Sequence, residues 1–341
     1  MILLEILTFT FTNNTMKKNF IFSALLLAAV FGLTACEDHR DSPEAAFPER
    51  IEFVAERQYP EGIAYSSQLD RFIITSLTQG KLGTVSTTGQ YQDLLSAPEL
   101  ISGVGVKVAN GRIFVANSDN GVSIKSSPQT ARKTAELLVF NLSTRTLERR
   151  VDLDDLVPGE NHFANDLALD PAGKVYVTDS FSPVIYQVDA NGQASVLVRD
   201  ETRFSSPSFG LNGIVYHPNG YLIVANTGAG KLYKVDLNNG NAVTEVGGIS
   251  SLPGDGLTLV GTTDLYVVTG SGSRVALVQS NDNFATASVV QMDQTGYSMA
   301  TTSTYVNGDI YTLNARIGEI GAAMGDPSKL QSDTYSIQQF K

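Results

Sequence analysis

Residues 165–180 read NDLALDPAGKVYVTDS. An Asn-Asp pair leads a short apolar run, Asp-Pro-Ala-Gly interrupts it, and a second run with alternating Val and Tyr follows. That alternation favours a half-buried strand and Pro-Ala-Gly supplies the reversal, so the stretch reads as one β-hairpin. What decides the fold is its recurrence. A leading residue, an apolar run, a turn and a second apolar strand return at Glu61 (EGIAY, then FIITS), Val104 (VGVKV, IFVAN), Asn212 (NGIVY, LIVAN), Asp255 (DGLTL, LYVVT) and Thr301 (TTSTYV, IYTLN). Starts lie 43–47 residues apart, except for one step of 61 that carries an insertion from Ser118 to Thr134. This insertion is rich in Ser and Lys and is expected to be a loop that roofs the channel mouth.

Self-similarity at this period, with several strands per unit, indicates an all-β, six-bladed β-propeller with a central channel. Helical repeats would place apolar residues at helical spacing, which these strands lack. Ile51–Arg57 precedes the first copy and is expected to complete the last blade beside Tyr335–Phe340. That closure needs no disulfide, and the chain has one Cys, Cys36.

The innermost strand of each blade lines the channel, so the register gathers Glu61, Val104, Asn165, Asn212, Asp255 and Thr301 onto one ring. Two carboxylates and two amide oxygens converging there suit a hard divalent cation, Ca²⁺ first, with Mg²⁺, Mn²⁺ or Zn²⁺ as alternatives. No His or Cys joins the set, which suits zinc least. The same residues also serve as ordinary turn formers, and Gly62, Gly213 and Gly256 as backbone devices.

The chain is acidic, with 35 Asp and Glu against 24 Lys and Arg and a formal net charge of −11, so it lacks the basic footprint of a nucleic-acid partner. A monomer acting on a small molecule is expected. Met16-Lys17-Lys18 and the apolar Phe20–Leu33 read as a secretory signal, too short to span a bilayer. Leu33-Thr34-Ala35-Cys36 resembles the lipobox of bacterial lipoproteins, which implies lipidation of Cys36 and a cell-envelope location, periplasmic or surface-exposed. The expected organisation is a signal over 1–36 with its true start at Met16, a flexible tether over 37–49, and the propeller over 50–341.

Pro60-Glu61-Gly62, NDLALDPAGKVYVTD, LNGIVYHPNGYLIVANT (211–227) and GDGLTL (254–259) together resemble the senescence-marker-protein/gluconolactonase superfamily of regucalcin-type propellers. The resemblance runs over about residues 50–340. It implies a metal held by Glu61, Asn165, Asn212 and Asp255, and hydrolysis of a lactone or organophosphate-like ester, with Asp255 also activating water or attacking directly. Asp166 is expected behind Asn165 or at the ion, and His162, three residues earlier, as an acid/base group. Ser102 and Asn117 are the polar candidates for substrate contact, and His217 is expected at the surface. The alternative reading is a non-catalytic, surface-anchored propeller that binds a ligand or a protein, its metal structural.

Overall fold

The computed structural model describes residues 47–270, 272–323 and 326–341. The signal, most of the tether and Cys36 lie outside the described residues. At the founding hairpin, strands Ala164–Leu169 and Val175–Asp179 pair antiparallel, with Leu167 opposite Val177 and Leu169 opposite Val175. The turn between them is held by the Asp170 side chain, which accepts from the backbone N–H of Ala172 and of Lys174, both at 2.9 Å. Gly173 completes it at φ +83°, a conformation that costs a residue without Cβ little.

The described residues form six four-stranded antiparallel sheets, each running outward from the channel. The innermost strands are Ile63–Ser66, Ser102–Ala109, Ala164–Leu169, Leu211–His217, Leu257–Val260 and Ala300–Val306, and each touches the next around a closed circle. The last sheet takes its outermost strand from the start of the propeller. Arg50–Val54 pairs with Thr334–Gln339, Ile51 opposite Ile337, as the isolated strand before the first repeat led us to expect. Phe47, assigned to the tether by sequence, packs edge-on against Tyr65 and Phe72.

Apolar packing is divided into wedges between neighbouring blades. Strand Ala135–Asn141 of the second blade illustrates why its sequence is apolar without a break. Leu138 and Phe140 join Ile73 and Leu82 of the first blade, while Leu137 and Val139 join Val175 and Tyr186 of the third. Alternate side chains leave opposite faces of a strand, and here both faces are covered.

A circuit of hydrogen bonds ties the blades at the channel. Thr75 Oγ1 donates to the Val104 carbonyl (2.9 Å), Ser118 Oγ to that of Ala164 (3.0 Å) and Thr178 Oγ1 to that of Asn212 (2.6 Å). Gly213 N donates to the Asp255 carbonyl (2.8 Å), Gly256 N to that of Thr301 (2.7 Å), and Thr301 Oγ1 returns to that of Glu61 (2.7 Å). Gly213 is needed for close approach, since a Cβ there would stand 2.3 Å from the Asp255 carbonyl oxygen.

Candidate functional site

Four innermost strands carry a register shift where they meet the channel mouth, between Gly103 and Val106, Ala164 and Leu167, Leu211 and Ile214, and Ala300 and Ser303. A bulge takes two residues out of the ladder and re-aims their side chains, and these are the positions of Asn165-Asp166 and Asn212-Gly213. In the first and fifth blades Glu61-Gly62 and Asp255-Gly256 lie just before the strand instead. Glu61, Asn165, Asn212 and Asp255 all line one cavity of about 540 Å³ above the ring. All four are nearly inaccessible, between 3% and 8% exposed.

Their polar atoms are incompletely satisfied. Asn165 Nδ2 donates to Ser180 Oγ at 2.9 Å, and the Ser180 hydroxyl donates in turn to the Leu211 carbonyl. With its proton committed, that hydroxyl can only accept, so Asn165 must present its NH₂ there. Asn165 Oδ1 is left buried without a partner. A buried polar oxygen left in this way is costly unless something outside the chain satisfies it.

The two carboxylates are also under strain. Burial, the Asp255 and Asp166 charges hold the Glu61 carboxyl well above the usual range, offset in part by Lys107. Burial pushes Asp255 up to about 7, against the hydrogen bond from Asn212 and with the repulsion of Asp166. Both shifts mean that burial disfavours the charged carboxylates, which a cation beside them would favour. Among the described residues no three His, Cys, Asp or Glu side chains are grouped closely enough to hold a metal ion by themselves, so an ion here would depend on the amide oxygens. The residues present fit a hard, oxygen-seeking cation.

Asp166 lies deeper, in the constriction it shares with Lys107, whose Nζ stands 3.7 Å from its Oδ1. Its carboxylate accepts from Leu167 N at 2.8 Å and Ile214 N at 3.4 Å. Ser180, rather than Asp166, orients Asn165. Hydroxyls recur at this place in Ser118 and Thr227, each donating to a carbonyl of the next blade as Ser180 does, a regularity that could have revealed it. Gly270 was also unforeseen, and a Cβ there would meet Asp255 Oδ2 at 2.7 Å.

Other expectations move away from the cavity. His162 is 2% exposed, with Nδ1 2.8 Å from Asp179 Oδ2 and Nε2 3.0 Å from the Val157 carbonyl, and it does not line the channel. Both ring nitrogens are committed, so the acid/base role is not carried forward. Ser102 and Asn117 are fully buried outside the cavity lining. Ser102 Oγ donates to the Leu77 carbonyl, and the Asn117 amide is spent on Ile101 N, Glu99 O and Glu136 Oε2. His217 is buried rather than at the surface, stacked on Tyr221 at 4.1 Å. In place of the expected polar contacts the cavity has a wall of Phe163, Phe181 and Phe209, with Asn120 and Arg132 reaching it from the Ser118–Thr134 insertion.

A family model for the SMP-30/gluconolactonase/LRE-like region matches residues 59–295, a stretch that holds all four ring residues. The chain belongs to that family. Solved structures similar to this family member include the major Malassezia sympodialis allergen Mala s 1, at 17% identity and TM-score 0.68, covering 87% of this chain and 97% of that one. The calcium-binding protein regucalcin from Agrobacterium tumefaciens matches at 15% identity and TM-score 0.58, covering 86% and 94%. Virginiamycin B lyase from Staphylococcus aureus matches at 12% identity and TM-score 0.55, covering 86% and 99%. No curated protein matches the chain by sequence. At such identities the likeness establishes the propeller, and the chemistry must be argued from the site.

Proposed function

We propose that this family member is a divalent-metal-dependent hydrolase of lactones or related esters. The observation that carries the reading is the unpartnered Asn165 Oδ1, buried in the same cavity lining as two carboxylates that burial holds above their usual range. Glu61, Asn165, Asn212 and Asp255 would hold the ion, and their mixture of two charged and two neutral oxygens suits Ca²⁺. Bound there, a divalent ion supplies a Lewis acid for the carbonyl or phosphoryl oxygen. Asp255 receives the proton of the attacking water as its oxygen bonds to the carbonyl carbon. The ring C–O bond then breaks, and the same proton passes to the departing alkoxide. Ser180 holds Asn165 in the orientation that keeps Oδ1 toward the cavity. Gly270 leaves room for the Asp255 carboxylate, and the phenylalanine wall limits water above it.

The test is turnover of a panel of lactones, aryl esters and phosphotriesters, with and without EDTA, beside Asp255→Asn. Metal-dependent turnover that the variant loses is the expected result. No turnover, together with thermal stability indifferent to chelation, overturns the reading. Stability lost on chelation without any turnover would favour the ligand-binding propeller. Envelope anchoring through Cys36 belongs to the same proposal and would place the activity at a membrane surface.

A further inference from the structure

The hydrolytic reading accounts for the floor of the cavity and leaves its wall unexplained. Phe163, Phe181 and Phe209 touch pairwise with ring centroids 5.2–5.7 Å apart. Phe209 is 40% exposed, whereas Phe163 is buried, so the cluster forms a face open to the cavity. Leu77, Ile317 and Ile320 continue the apolar lining. A polyol such as a sugar lactone would find few hydrogen-bonding partners along such a wall.

Arg132 is the cation among the lining residues, and its guanidinium sits 4.6 Å over the Phe181 ring. An arginine on an aromatic face is often just a surface contact worth about 0.5–1 kcal/mol. Here the backbone beneath it is fixed from both sides. Arg132 N donates to the Asp119 carbonyl at 2.7 Å, and its own carbonyl accepts from His162 N at 3.0 Å. The insertion is a built frame: the Asp119 carboxylate accepts from Gly121 N, Ser126 Oγ and Thr130 Oγ1. Lys125 Nζ pins it to the first blade through the carbonyls of Gly80, Ala97 and Leu100 at 2.6–3.0 Å. Lys125 is thus consumed by the scaffold, whereas no carboxylate of the described residues pairs with Arg132. A second orphan stands nearby in the lining, Asn120 Oδ1, buried and without a partner.

An ion on the ring neutralises Glu61 and Asp255, and the fixed cation higher in the wall gives an anionic group a favourable place apart from the reacting bond. We propose that the cavity selects an amphiphilic organic anion: an aromatic or alkyl body against Phe163, Phe181 and Phe209, with a carboxylate or similar acidic group at Arg132. This deepens the hydrolytic reading, on which it rests for the reacting bond, by naming the substrate as an apolar ester or lactone that carries an acidic group.

The experiment compares 8-anilinonaphthalene-1-sulfonate with N-phenyl-1-naphthylamine, the same ring system without the sulfonate, by fluorescence titration of the full chain. Arg132→Met is expected to weaken the anionic probe about tenfold, the scale of one charged contact, and to leave the neutral probe within about twofold. Phe181→Ala should weaken both. Melting temperatures of the variants check that the fold is intact. Equal effects of Arg132→Met on the two probes, or none on either, overturn the proposal, as does binding of both that survives Phe181→Ala unchanged. The outcomes separate from those of the hydrolase test. Charge-selective binding without turnover of any ester would leave the ligand class standing and remove the hydrolase. Turnover of neutral lactones, indifferent to Arg132→Met, would do the reverse.

Discussion

Asp255→Asn should stabilise the metal-free protein. The substitution keeps the shape of the side chain and removes a charge that is buried beside Glu61 and Asp166. Raising the carboxyl from 3.8 to about 7 is a shift of about three units. At 1.36 kcal/mol per unit this sets an upper bound of about 4 kcal/mol. The sign follows from linkage: a raised acid binds its proton more tightly when folded, so stability falls as pH rises from about 4 to about 7 and stays low above that. Water entry and coupling to Glu61 reduce the figure to about 1–4 kcal/mol, the scale on which well-packed apolar residues can stabilise a protein in place of a buried ion pair. At about 1.6 °C per kcal/mol for a domain of this length, the variant should melt at least about 1.5 °C higher than the wild type in EDTA at pH 8. Calcium at about a thousand times its Kd should cancel or reverse the order, because it adds about 4.1 kcal/mol to the wild type alone. Differential scanning calorimetry at pH 5 and pH 8, with EDTA or calcium, reads both effects. A variant that melts below the wild type in EDTA at pH 8 would refute the reasoning, since Asp255 would then be an ionised group well held by protein partners.

Other perturbations probe the frame around that charge. Gly213→Ala forces a Cβ to within 2.3 Å of the Asp255 carbonyl oxygen and displaces the bond from Gly213 N. Overpacking of about 1–3 kcal/mol with a lost hydrogen bond of about 1 kcal/mol should lower the melting temperature by several degrees, and an unchanged melt would show that the ring yields freely. Ser180→Ala strips the Leu211 carbonyl of its donor and frees the Asn165 amide to turn; a loss of about 1–3 kcal/mol and a smaller calcium-induced melting shift are expected, and an unaltered calcium shift would remove Ser180 from the site. Burial lowers the His162 pKa, but the hydrogen bond and charge of Asp179 outweigh it and leave it raised, whereas burial lowers that of His217. Imidazole NMR should therefore find His162 titrating above 6.5 and His217 below it; the stability that His162 adds is full below 6.5 and lost as pH rises through its folded value, and the reverse order of titration would contradict both environments. Labelling of cells with a palmitate analogue should mark the wild type and spare Cys36→Ala, and an unlabelled wild type would remove the anchor.

The fold was legible because one physical demand is repeated six times. Each blade must bury both faces of its middle strands and tie its inner end to a neighbour, so the same run of apolar and small polar residues returns at nearly constant spacing. Even the closing strand at Arg50–Val54 could be read, as a strand left without a repeat of its own. His162 was misread for a local reason that the hairpin itself contains. Phe163 and Asn165 line the cavity while Ala164 packs between blades and His162 points to Asp179, so alternation turns every second residue away from the channel. Counting three residues back from Asn165 without that parity placed the imidazole on the wrong side.

The ring and the wall differ in how a sequence can encode them. Asn165, Asn212 and Asp255 gain meaning from each other's register, since a residue that occupies the same step of each blade must face the same axis. Phe181, Phe209 and Arg132 come from the connections, where lengths vary and no register carries over from blade to blade. Arg132 is the extreme case, because it belongs to the one long insertion and owes its place to Asp119, Lys125 and the His162 backbone. Substitutions in the ring should therefore alter whether the cavity holds an ion, and substitutions in the wall what it holds beside the ion. Arg132→Met should leave calcium-induced stabilisation intact while changing ligand preference, and Asp255→Asn should do the opposite.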